Sequence, residues 1–545
     1  MQIKRSHPID VLLPSLSQQI IAAYDTVSNT ITRTNDNVLH YTLISVSDAK
    51  QTLHEAALFS LMKKMQPLFI NLQIWPGNND NEVANIIISG TYDAKLIALF
   101  RLLANNTKPV FVRYNGEMEL PVHDYPWQYQ SSTRYINSFR HIALLSKRYF
   151  PAGKIVWGPA GYPGAEEYWP GDKYVDLASI NMNVTPEIPN DPYPPYSSFK
   201  EMMRRKLFRM RFMNKPVLFL ATESVQRNIL QQQWIEELNN QLKVDKDIYQ
   251  TPIISLNTND GLEKNKDDST FKIGLYDPFL LLAQHRSVTT EHLFTNIETV
   301  KNGMFKKDFD AVIGRHHDVI VTMETWSTGQ TEKDRDVLTN IVTGVYDHAW
   351  VTLYQIISNV PQTVYLRWGH EMEVPVDRYP WQMQDPVAYI KAFRYVASFQ
   401  DPKANNIKIV WGPAGDRGSV EWWPGDNVVD YTSIAVFALP DKNINDYSKQ
   451  QSFTSIFQSK FHRIRFANKP IFITEFGVKG PEAYQKKWLK EAASTINKRP
   501  EIKGISYFNS ADSPKVWGDA EIPDWSITKD TFKSFIGFLK NLPGK

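Results

Sequence analysis

The chain has 545 residues, of which 42% are hydrophobic and 22% are charged, a balance typical of folded globular proteins and not of disordered ones. Lysine and arginine number 61 and aspartate and glutamate 58, so the formal net charge is +3 and nucleic acid is not the expected partner. The sequence contains no cysteine, which excludes disulfides, thiolate metal sites and cysteine nucleophiles.

The N-terminal segment begins with basic residues, but Asp10, Pro14 and Gln18 interrupt the apolar stretch that a signal peptide needs. Elsewhere no segment reaches the roughly 18 consecutive apolar residues of a membrane span. The sequence therefore predicts no transmembrane segment.

An internal repeat organises the chain. The octapeptide KIVWGPAG occurs at 154–161 and again at 408–415, an offset of 254 residues. At the same offset, RYNGEMELPVHDYPWQ (113–128) matches RWGHEMEVPVDRYPWQ (367–382) at ten of sixteen positions. A period this long indicates a duplicated domain and not a solenoid. We predict two tandem domains at 1–260 and 271–545, with the polar segment 260–270 at their boundary.

Short apolar runs alternate with helical patterns in both copies, which predicts β/α units around a parallel sheet. The strands predicted in the first copy are TLISV, LFINLQIW, PVFVRY, KIVWGP, LASINMN, PVLFLATE and PIISLN. Those predicted in the second copy are 272–276, 319–325, 340–344, 363–368, 408–413, 431–438, 470–476 and 503–509. Eight strands in about 270 residues favour an α/β fold of two tandem (β/α)8 TIM-type barrels. An open doubly wound sheet is the alternative, which the lack of a glycine-rich phosphate loop disfavours.

Acidic and aromatic residues follow the predicted strands of the second copy, where such barrels carry their chemistry. Glu371 follows the predicted fourth strand and Glu475 ends the seventh, while Glu324 ends the predicted second strand. Two carboxyl groups across a barrel mouth suit double displacement at an acetal carbon, one as nucleophile and one as acid/base. The alternative is that they are ordinary strand-end charges, which the nearby Arg367 and His370 make less favoured.

The second copy resembles glycoside hydrolase family 26, a group of retaining (β/α)8 glycosidases that includes β-mannanases. The resemblance is carried by RWGHEM (367–372), YPW (379–381), VWGPAG (410–415), WWPGD (422–426) and KPIFITEFG (469–477). It implies that Glu371 is the acid/base and Glu475 the nucleophile. It also implies that His370 borders the −1 sugar site and that Arg367 steadies the carboxylates.

Two departures from this family make mannan a less expected substrate than a β-linked glycan in general. Glu373 stands where family mannanases usually carry asparagine. The tryptophan-rich stretch that follows in those enzymes is replaced by VPVDRYPW (374–381).

The first copy lacks part of this pattern. Glu117 aligns with Glu371, but Ala221 aligns with Glu475 and Gln73 stands in place of Glu324. Glu223 matches Glu475 only after a two-residue slip, which would change its depth and direction. We expect the first copy to be non-catalytic, and a working pair of Glu117 and Glu223 is the alternative.

Aromatic residues beside the predicted catalytic loops suit contacts with sugar rings. Trp525 can wall the cleft or cap the last helix, whereas Trp411 and Trp423 recur in the first copy and suit the fold. The complete predicted substrate-binding set is His370, Arg367, Glu324, Trp326, Trp381, Tyr507 and Trp525.

These residues predict a retaining endo-type glycoside hydrolase acting on a mannan, β-glucan or exopolysaccharide, without cofactor or metal. His316 and His317 lack the ligand spacing of a metal site. The alternative is a non-catalytic polysaccharide-binding or scaffold protein of an exopolysaccharide synthesis system. Either function implies a polysaccharide partner, with synthesis or export machinery as a second one. We expect an extracytoplasmic protein whose leader precedes this numbering.

Overall fold

The computed structural model describes fourteen stretches of the chain. These are residues 19–26, 28–33, 40–46, 62–63, 67–74, 83–182, 188, 191–221, 232–250, 270–326, 335–376, 378–438, 451–512 and 522–540. The chain divides into two units, Met1–Asn259 and Asp260–Lys545, called here the first and second unit. The division falls at the start of the polar segment 260–270.

The first unit contains an eight-stranded sheet in the order β2-β1-β8-β7-β6-β5-β4-β3. Its strands are β1 (Gln19–Asp25), β2 (Thr30–Arg33), β3 (His40–Val46), β4 (Leu68–Ile74), β5 (Val110–Tyr114), β6 (Lys154–Trp157), β7 (Leu177–Asn181) and β8 (Val217–Ala221). Its helices are α1 (Val83–Ile88), α2 (Asp93–Leu103), α3 (Ser132–Tyr149), α4 (Phe199–Arg209), α5 (Gln232–Val244) and α6 (Lys246–Tyr249). Strands β3 to β8 run parallel, whereas β1 is antiparallel to both β8 and β2.

The prediction of eight parallel strands in the first copy does not hold for its described residues. Six predicted runs, from TLISV to PVLFLATE, contribute parallel strands, and PIISLN (252–257) lies outside the described residues. The sheet is extended by a hairpin instead, because four residues join β1 to β2 and a parallel crossover needs about a dozen. Asn29 allows this turn through its left-handed backbone (φ 54°), and its side chain donates to the Leu242 carbonyl at 2.9 Å.

The second unit is a closed (β/α)8 barrel, which confirms the fold class predicted for it. Its strands are β9 (Lys272–Tyr276), β10 (Thr290–Asn296), β11 (Asp318–Glu324), β12 (Val364–Trp368), β13 (Ile407–Trp411), β14 (Tyr431–Ala438), β15 (Ile471–Val478) and β16 (Ile502–Phe508). Every neighbouring pair is parallel, and β16 pairs with β9 to close the barrel. Its helices are α7 (Ile297–Lys301), α8 (Met304–Gly314), α9 (Val337–Val342), α10 (Asp347–Ser358), α11 (Pro386–Ala397), α12 (Phe453–Ile464), α13 (Glu482–Asn497) and α14 (Lys529–Lys540).

One predicted strand of the second copy was wrong. Residues 340–344 lie at the end of α9, whose buried Val337, Leu338 and Ile341 follow helical spacing. The missing strand is β10, which was overlooked because its buried residues include the polar Glu291 and His292. Glu324 therefore ends the third strand and not the second, while the fourth, seventh and eighth strands stand as predicted.

The interior of the second barrel is apolar at one level and polar at the next. A buried cluster joins one residue from each of five successive strands: Ile320, Tyr365, Val410, Tyr431 and Phe472. Because alternate residues of a strand share a face, the residues two positions further on also point inward. These include Thr322, Arg367 and Thr474, all of them buried. A layer of polar side chains thus lies directly above a closely packed apolar layer inside the barrel.

Among the helices of the described residues, none is long and apolar enough to cross a membrane.

The close approach of Arg367 to β13 requires glycine at position 412. A Cβ atom there would lie 2.8 Å from Arg367 Cδ and 3.2 Å from Ser433 Oγ. We expect Gly412→Ala to lower the free energy of unfolding by about 1–3 kcal/mol, because the arginine must shift in a packed core. Gly537→Ala is the matched control, since a Cβ in that helix meets no atom within 4 Å. It should stabilise by about 0.5–1 kcal/mol. Denaturant unfolding of both variants measures the difference, and equal stabilities would contradict this account.

Candidate active site

Glu475 and Arg367 form a buried ion pair in the mouth of the second barrel. Arg367 lies on β12 at 2% exposure, and Glu475 lies on β15 at 8% exposure. Arg367 Nη2 donates to Glu475 Oε1, and Nη1 donates to Thr474 Oγ1 at 3.0 Å. A carboxylate that accepts from a guanidinium is stabilised in its charged form.

A strand irregularity lets Thr474 and Glu475 both face Arg367. Consecutive residues of a regular strand point to opposite faces. Here the pairing of β15 with β14 shifts register between Ser433 and Ala435, and its pairing with β16 shifts between Ile473 and Phe476. Such bulges redirect a side chain, and this one places the Glu475 carboxyl inside the barrel.

Glu371 follows β12 in a left-handed backbone conformation (φ 54°), which is unfavourable for a residue with a side chain. Its amide donates to the Gly412 carbonyl at 2.8 Å, and its carbonyl accepts from Gln382 Nε2 at 3.0 Å. Arg378 Nη1 lies 3.6 Å from its carboxyl Oε2. The backbone contacts hold the strained turn, and the turn sets the position of the acid.

Burial raises the pKa of Glu371, and the charge of Glu475 raises it further, against the opposing charges of Arg378 and Arg367. Burial also raises the pKa of Glu324 to about 7, where its hydrogen bond with Trp326 and the charge of Arg367 act in the opposite direction. Glu475 and Glu371 each add to the shift of Glu324. The charges of the three predicted carboxyl groups therefore act on one another, and Glu324 and Glu371 keep their protons to higher pH than a free glutamate does.

His370 is enclosed by the aromatic residues of the YPW segment. Its ring lies 4.7 Å from that of Tyr379 and 5.8 Å from that of Trp381. Burial and the charge of Arg367 hold the pKa of His370 well below its usual value, so the imidazole is neutral. Trp381 stacks on Tyr379 at 4.8 Å and donates its indole N–H to the His370 carbonyl at 2.8 Å.

The structure separates the predicted cleft aromatics into two groups. Trp326 is half-buried and lies edge-on to Tyr379 at 5.6 Å. Trp381, Tyr507 and Trp525 are instead almost fully enclosed, at 0%, 1% and 1% exposure. The Tyr507 hydroxyl donates to the Trp525 carbonyl at 2.7 Å, and the Trp525 ring packs 4.7 Å from that of Phe437. Among the described residues these three side chains are thus enclosed by protein atoms.

Sequence reasoning did not single out several residues that the fold brings to the mouth. Tyr379 is half-buried. Burial raises its pKa well above the usual value, and the charges of Glu324 and Glu371 raise it further. Burial, followed by the charges of Glu475 and Glu324, likewise raises the pKa of Tyr276 at the end of β9. The only available signal was that both tyrosines directly follow or flank predicted strand-end motifs.

The first unit keeps the arginine and the Glu371 equivalent but presents a different cluster. Arg113 Nη2 lies 3.7 Å from Glu117 Oε1, and Asn181 Nδ2 also donates to that oxygen. Ala221 is buried in the place of Glu475, and Gln73 occupies the place of Glu324. Glu223 lies outside the described residues. Within the described part of this unit, Glu117 is thus matched with donors and not with a second carboxylate.

Contacts that shape the mouth recur in both units at the 254-residue offset. Glu119 accepts from the amide of Gly161 at 2.9 Å, as Glu373 accepts from Gly415 at 2.9 Å. Trp157 meets Trp169 edge-on at 5.0 Å, and Trp411 meets Trp423 at 5.1 Å. Glu373 therefore holds the loop after β13 in place by accepting hydrogen bonds from its backbone. This contact gives a structural reason for a glutamate at position 373.

His317 takes part in an ion-pair cluster at the opposite end of the barrel. Its Nδ1 lies 2.8 Å from Glu291 Oε1, and Arg315 contacts the same carboxyl through Nε at 2.7 Å and Nη2 at 2.6 Å. Among the described residues, no group of three histidine, aspartate or glutamate side chains is placed to hold a metal ion.

Comparison with known proteins relates the chain to polysaccharide-degrading enzymes. A β-1,3-xylanase of Alcaligenes sp is 26% identical over 206 residues, covering 36% of this chain and 39% of the relative. Endoglucanase H of Acetivibrio thermocellus is 27% identical over 225 residues, covering 39% of this chain and 24% of the relative. The chain thus spans well under half the length of these relatives. No family model matches.

Among solved structures, GH26C from Muricauda sp. aligns with 50% of this chain and 88% of its own, at 12% identity and a TM-score of 0.37.

Burial raises the pKa of Glu373 to about 7, with the charge of Asp416 adding to the shift. As pH rises from about 4.5 to 7, the unfolded chain releases this proton while the folded chain keeps it, so stability falls. This proton accounts for a decrease of up to about 3 kcal/mol in the free energy of unfolding over that pH range, and we expect Glu373→Gln to abolish the decrease. Denaturant unfolding from pH 5 to pH 8 measures it, with the exposed Glu298→Gln as control. An unchanged pH dependence in Glu373→Gln would contradict the shift.

Proposed function

We propose that the protein is a retaining, endo-acting glycoside hydrolase of the family 26 type that cleaves a β-linked polysaccharide in its second unit. One observation carries the proposal. Glu371 follows barrel strand four and Glu475 lies within barrel strand seven, and Arg367 contacts Glu475 while burial and charge raise the pKa of Glu371. Two carboxyl groups in unlike environments suit an acid and a nucleophile.

In the first step the Glu475 carboxylate attacks the anomeric carbon while the Glu371 carboxylic acid gives its proton to the glycosidic oxygen. The bond between the anomeric carbon and that oxygen breaks, the leaving sugar departs as an alcohol, and a glycosyl ester with Glu475 forms. In the second step the Glu371 carboxylate takes a proton from water, whose oxygen attacks the same carbon. Glu475 then leaves as a carboxylate, and two inversions give net retention.

The electrostatics of the site favour this division of roles. The guanidinium of Arg367 donates to the Glu475 carboxylate, and its other terminal nitrogen donates to the Thr474 hydroxyl, which fixes its orientation. The pKa of Glu371 is raised by burial and by the Glu475 charge, which keeps the acid protonated for the first step. When the ester forms, that charge disappears and the pKa of Glu371 falls, which suits its second role as a base.

The relatives support a β-linked glycan as substrate, because one is named as a β-1,3-xylanase and another as an endoglucanase. Mannan, β-glucan, xylan and an exopolysaccharide are the candidates. We place the reaction outside the cytoplasm, with exopolysaccharide synthesis or export machinery as a potential partner.

The first unit is proposed as a diverged tandem copy of the second that does not hydrolyse glycans. The recurring contacts of Glu119 and Glu373 support the common origin. The buried Ala221 and the pairing of Glu117 with Arg113 support the loss of chemistry. A hydrolytically silent unit of this kind can bind the polymer that its neighbour cuts.

Reducing-sugar release from mannan, glucomannan, mixed-linkage β-glucan, cellulose, β-1,4-xylan and β-1,3-xylan tests the proposal. We expect release by wild type, a loss of at least about 10⁴-fold in Glu475→Ala and about 10²–10⁴-fold in Glu371→Ala. Glu117→Ala is the matched control in the first unit and should retain wild-type rates. Loss in Glu117→Ala with activity kept in Glu475→Ala would move the chemistry to the first unit.

Azide rescue with an activated aryl glycoside separates the two roles. In Glu475→Ala, azide replaces the nucleophile and should give the α-glycosyl azide from a β-glycoside. In Glu371→Ala, azide attacks the ester and should give the β-glycosyl azide. Polymer binding without hydrolysis, unchanged in Glu475→Ala, would support the scaffold alternative.

A further inference from the structure

A chain of hydrogen bonds links the Glu475–Arg367 pair to two residues on neighbouring strands. Arg367 Nε donates to Thr322 Oγ1 at 2.9 Å, and the same oxygen lies 2.7 Å from His292 Nε2. His292 and Thr322 lie on β10 and β11 at 2% and 0% exposure. The guanidinium is thus bound at two edges, by Thr322 through Nε and by Glu475 through Nη2.

Thr322 Oγ1 accepts from Arg367, because a guanidinium only donates. The hydroxyl has a second lone pair and one proton, so it can either donate to His292 Nε2 or accept from it. In both cases the contact with the imidazole fixes the rotation of the hydroxyl. Burial and the charge of Arg367 hold the pKa of His292 well below its usual value, so the imidazole is neutral.

The first unit provides an internal comparison. By strand register, Asn71 pairs with Arg113 as Thr322 pairs with Arg367. The same register puts Tyr41 at the position of His292. Ala221 stands in place of Glu475, and Arg113 Nη2 donates to the Gly158 carbonyl at 2.9 Å. Where the carboxylate is missing, the threonine and the histidine are missing too, and the arginine binds elsewhere.

We propose that His292 and Thr322 are positioning residues that hold the Arg367 guanidinium toward Glu475 through the Thr322 hydroxyl. Neither residue touches substrate. Thr322 fixes the rotation of the guanidinium, and His292 fixes the hydroxyl of Thr322 so that its lone pair faces Arg367. This inference rests on the proposed role of Glu475 as nucleophile.

The proposal predicts a specific change in the dependence of activity on pH. The charge of Arg367 lowers the pKa of Glu371 and of Glu324. If Arg367 is free to rotate, this effect weakens, so the basic limb of kcat/KM, which reports Glu371, moves to higher pH. Other charged and ionisable groups that act on this region remain in place in the variants. They are Glu475, Arg378, Lys460, Tyr276 and Tyr379.

Thr322→Val removes the hydroxyl at constant shape, and Thr322→Ser keeps it. We expect Thr322→Val to lower kcat by about 10–100-fold with KM changed less than about threefold, because a hydrogen bond to a charged group is lost. Thr322→Ser should stay within about threefold of wild type. Thr290→Val is the matched control, since it removes a buried hydroxyl of β10 that has no hydrogen-bond partner among the described residues.

Steady-state kinetics and pH profiles of these variants test the positioning role, and thermal melting verifies that each variant is folded. If Thr322→Val has the same activity and pH profile as Thr290→Val while Glu475→Ala is inactive, the positioning role is wrong and the proposed function stands. Full activity in Glu475→Ala would overturn the proposed function and this inference together.

A second measurement does not depend on finding the substrate. In ¹⁵N-histidine-labelled protein, the His292 signals are assigned among 12 histidines by their loss in His292→Gln. We expect a neutral imidazole at pH 7, because burial and the charge of Arg367 lower the pKa of His292. Its Nε2 signal should shift in Thr322→Val, because that nitrogen loses its hydroxyl partner. An unchanged Nε2 signal in Thr322→Val would rule out the proposed chain of hydrogen bonds.

Discussion

The second barrel is built around one buried charge pair, between Arg367 and Glu475. Taking two charges out of water is expensive, and a close contact offsets the expense only when further hydrogen bonds satisfy both partners. The barrel supplies those of Arg367 from its strands, through Thr322 and Thr474, and the bulge in β15 turns the Glu475 carboxyl inward. Gly412 leaves the space through which the arginine passes. The geometry of the mouth follows from this arrangement, since Glu371 is positioned by the same glycine's carbonyl.

The two units share one part of this architecture and differ in another. The loop contacts of Glu119 and Glu373, the tryptophan pairs and the stacked tyrosine and tryptophan of the YPW segment are present in both. The carboxylate on the seventh barrel strand, its bulge and the histidine–threonine pair occur in the second unit. In the first unit, β8 pairs with β7 without a register shift over Val217–Leu220. A regular strand and an alanine go together there, as an irregular strand and a glutamate do in the other.

Much of this site could be predicted from the sequence, because it depends on strand ends with strong apolar patterns. The fourth and seventh strands were located correctly, and with them Arg367 and Glu475. Strand β10 was missed because it buries Glu291 and His292, which no alternating pattern reveals. The burial of Trp381 and Trp525 was also beyond reach, since an indole beside a catalytic loop can face either the cleft or the core. The bulge and the roles of Thr322 and Tyr379 depend on contacts between strands distant in sequence.

The left-handed backbone at Glu371 positions the proposed acid but lowers the stability of the fold. Glu371 is held at positive φ, and its carboxyl group is buried near those of Glu324 and Glu475. Such strain lowers the stability of the folded state by an amount on the order of 1 kcal/mol or more. Active sites commonly carry such a stability–activity trade-off. The first unit keeps the strained turn at Glu117 (φ 61°), with alanine at position 221 where the second unit has Glu475. The conformational part of this cost is therefore present in both units, while the electrostatic contribution of Glu475 is present in the second.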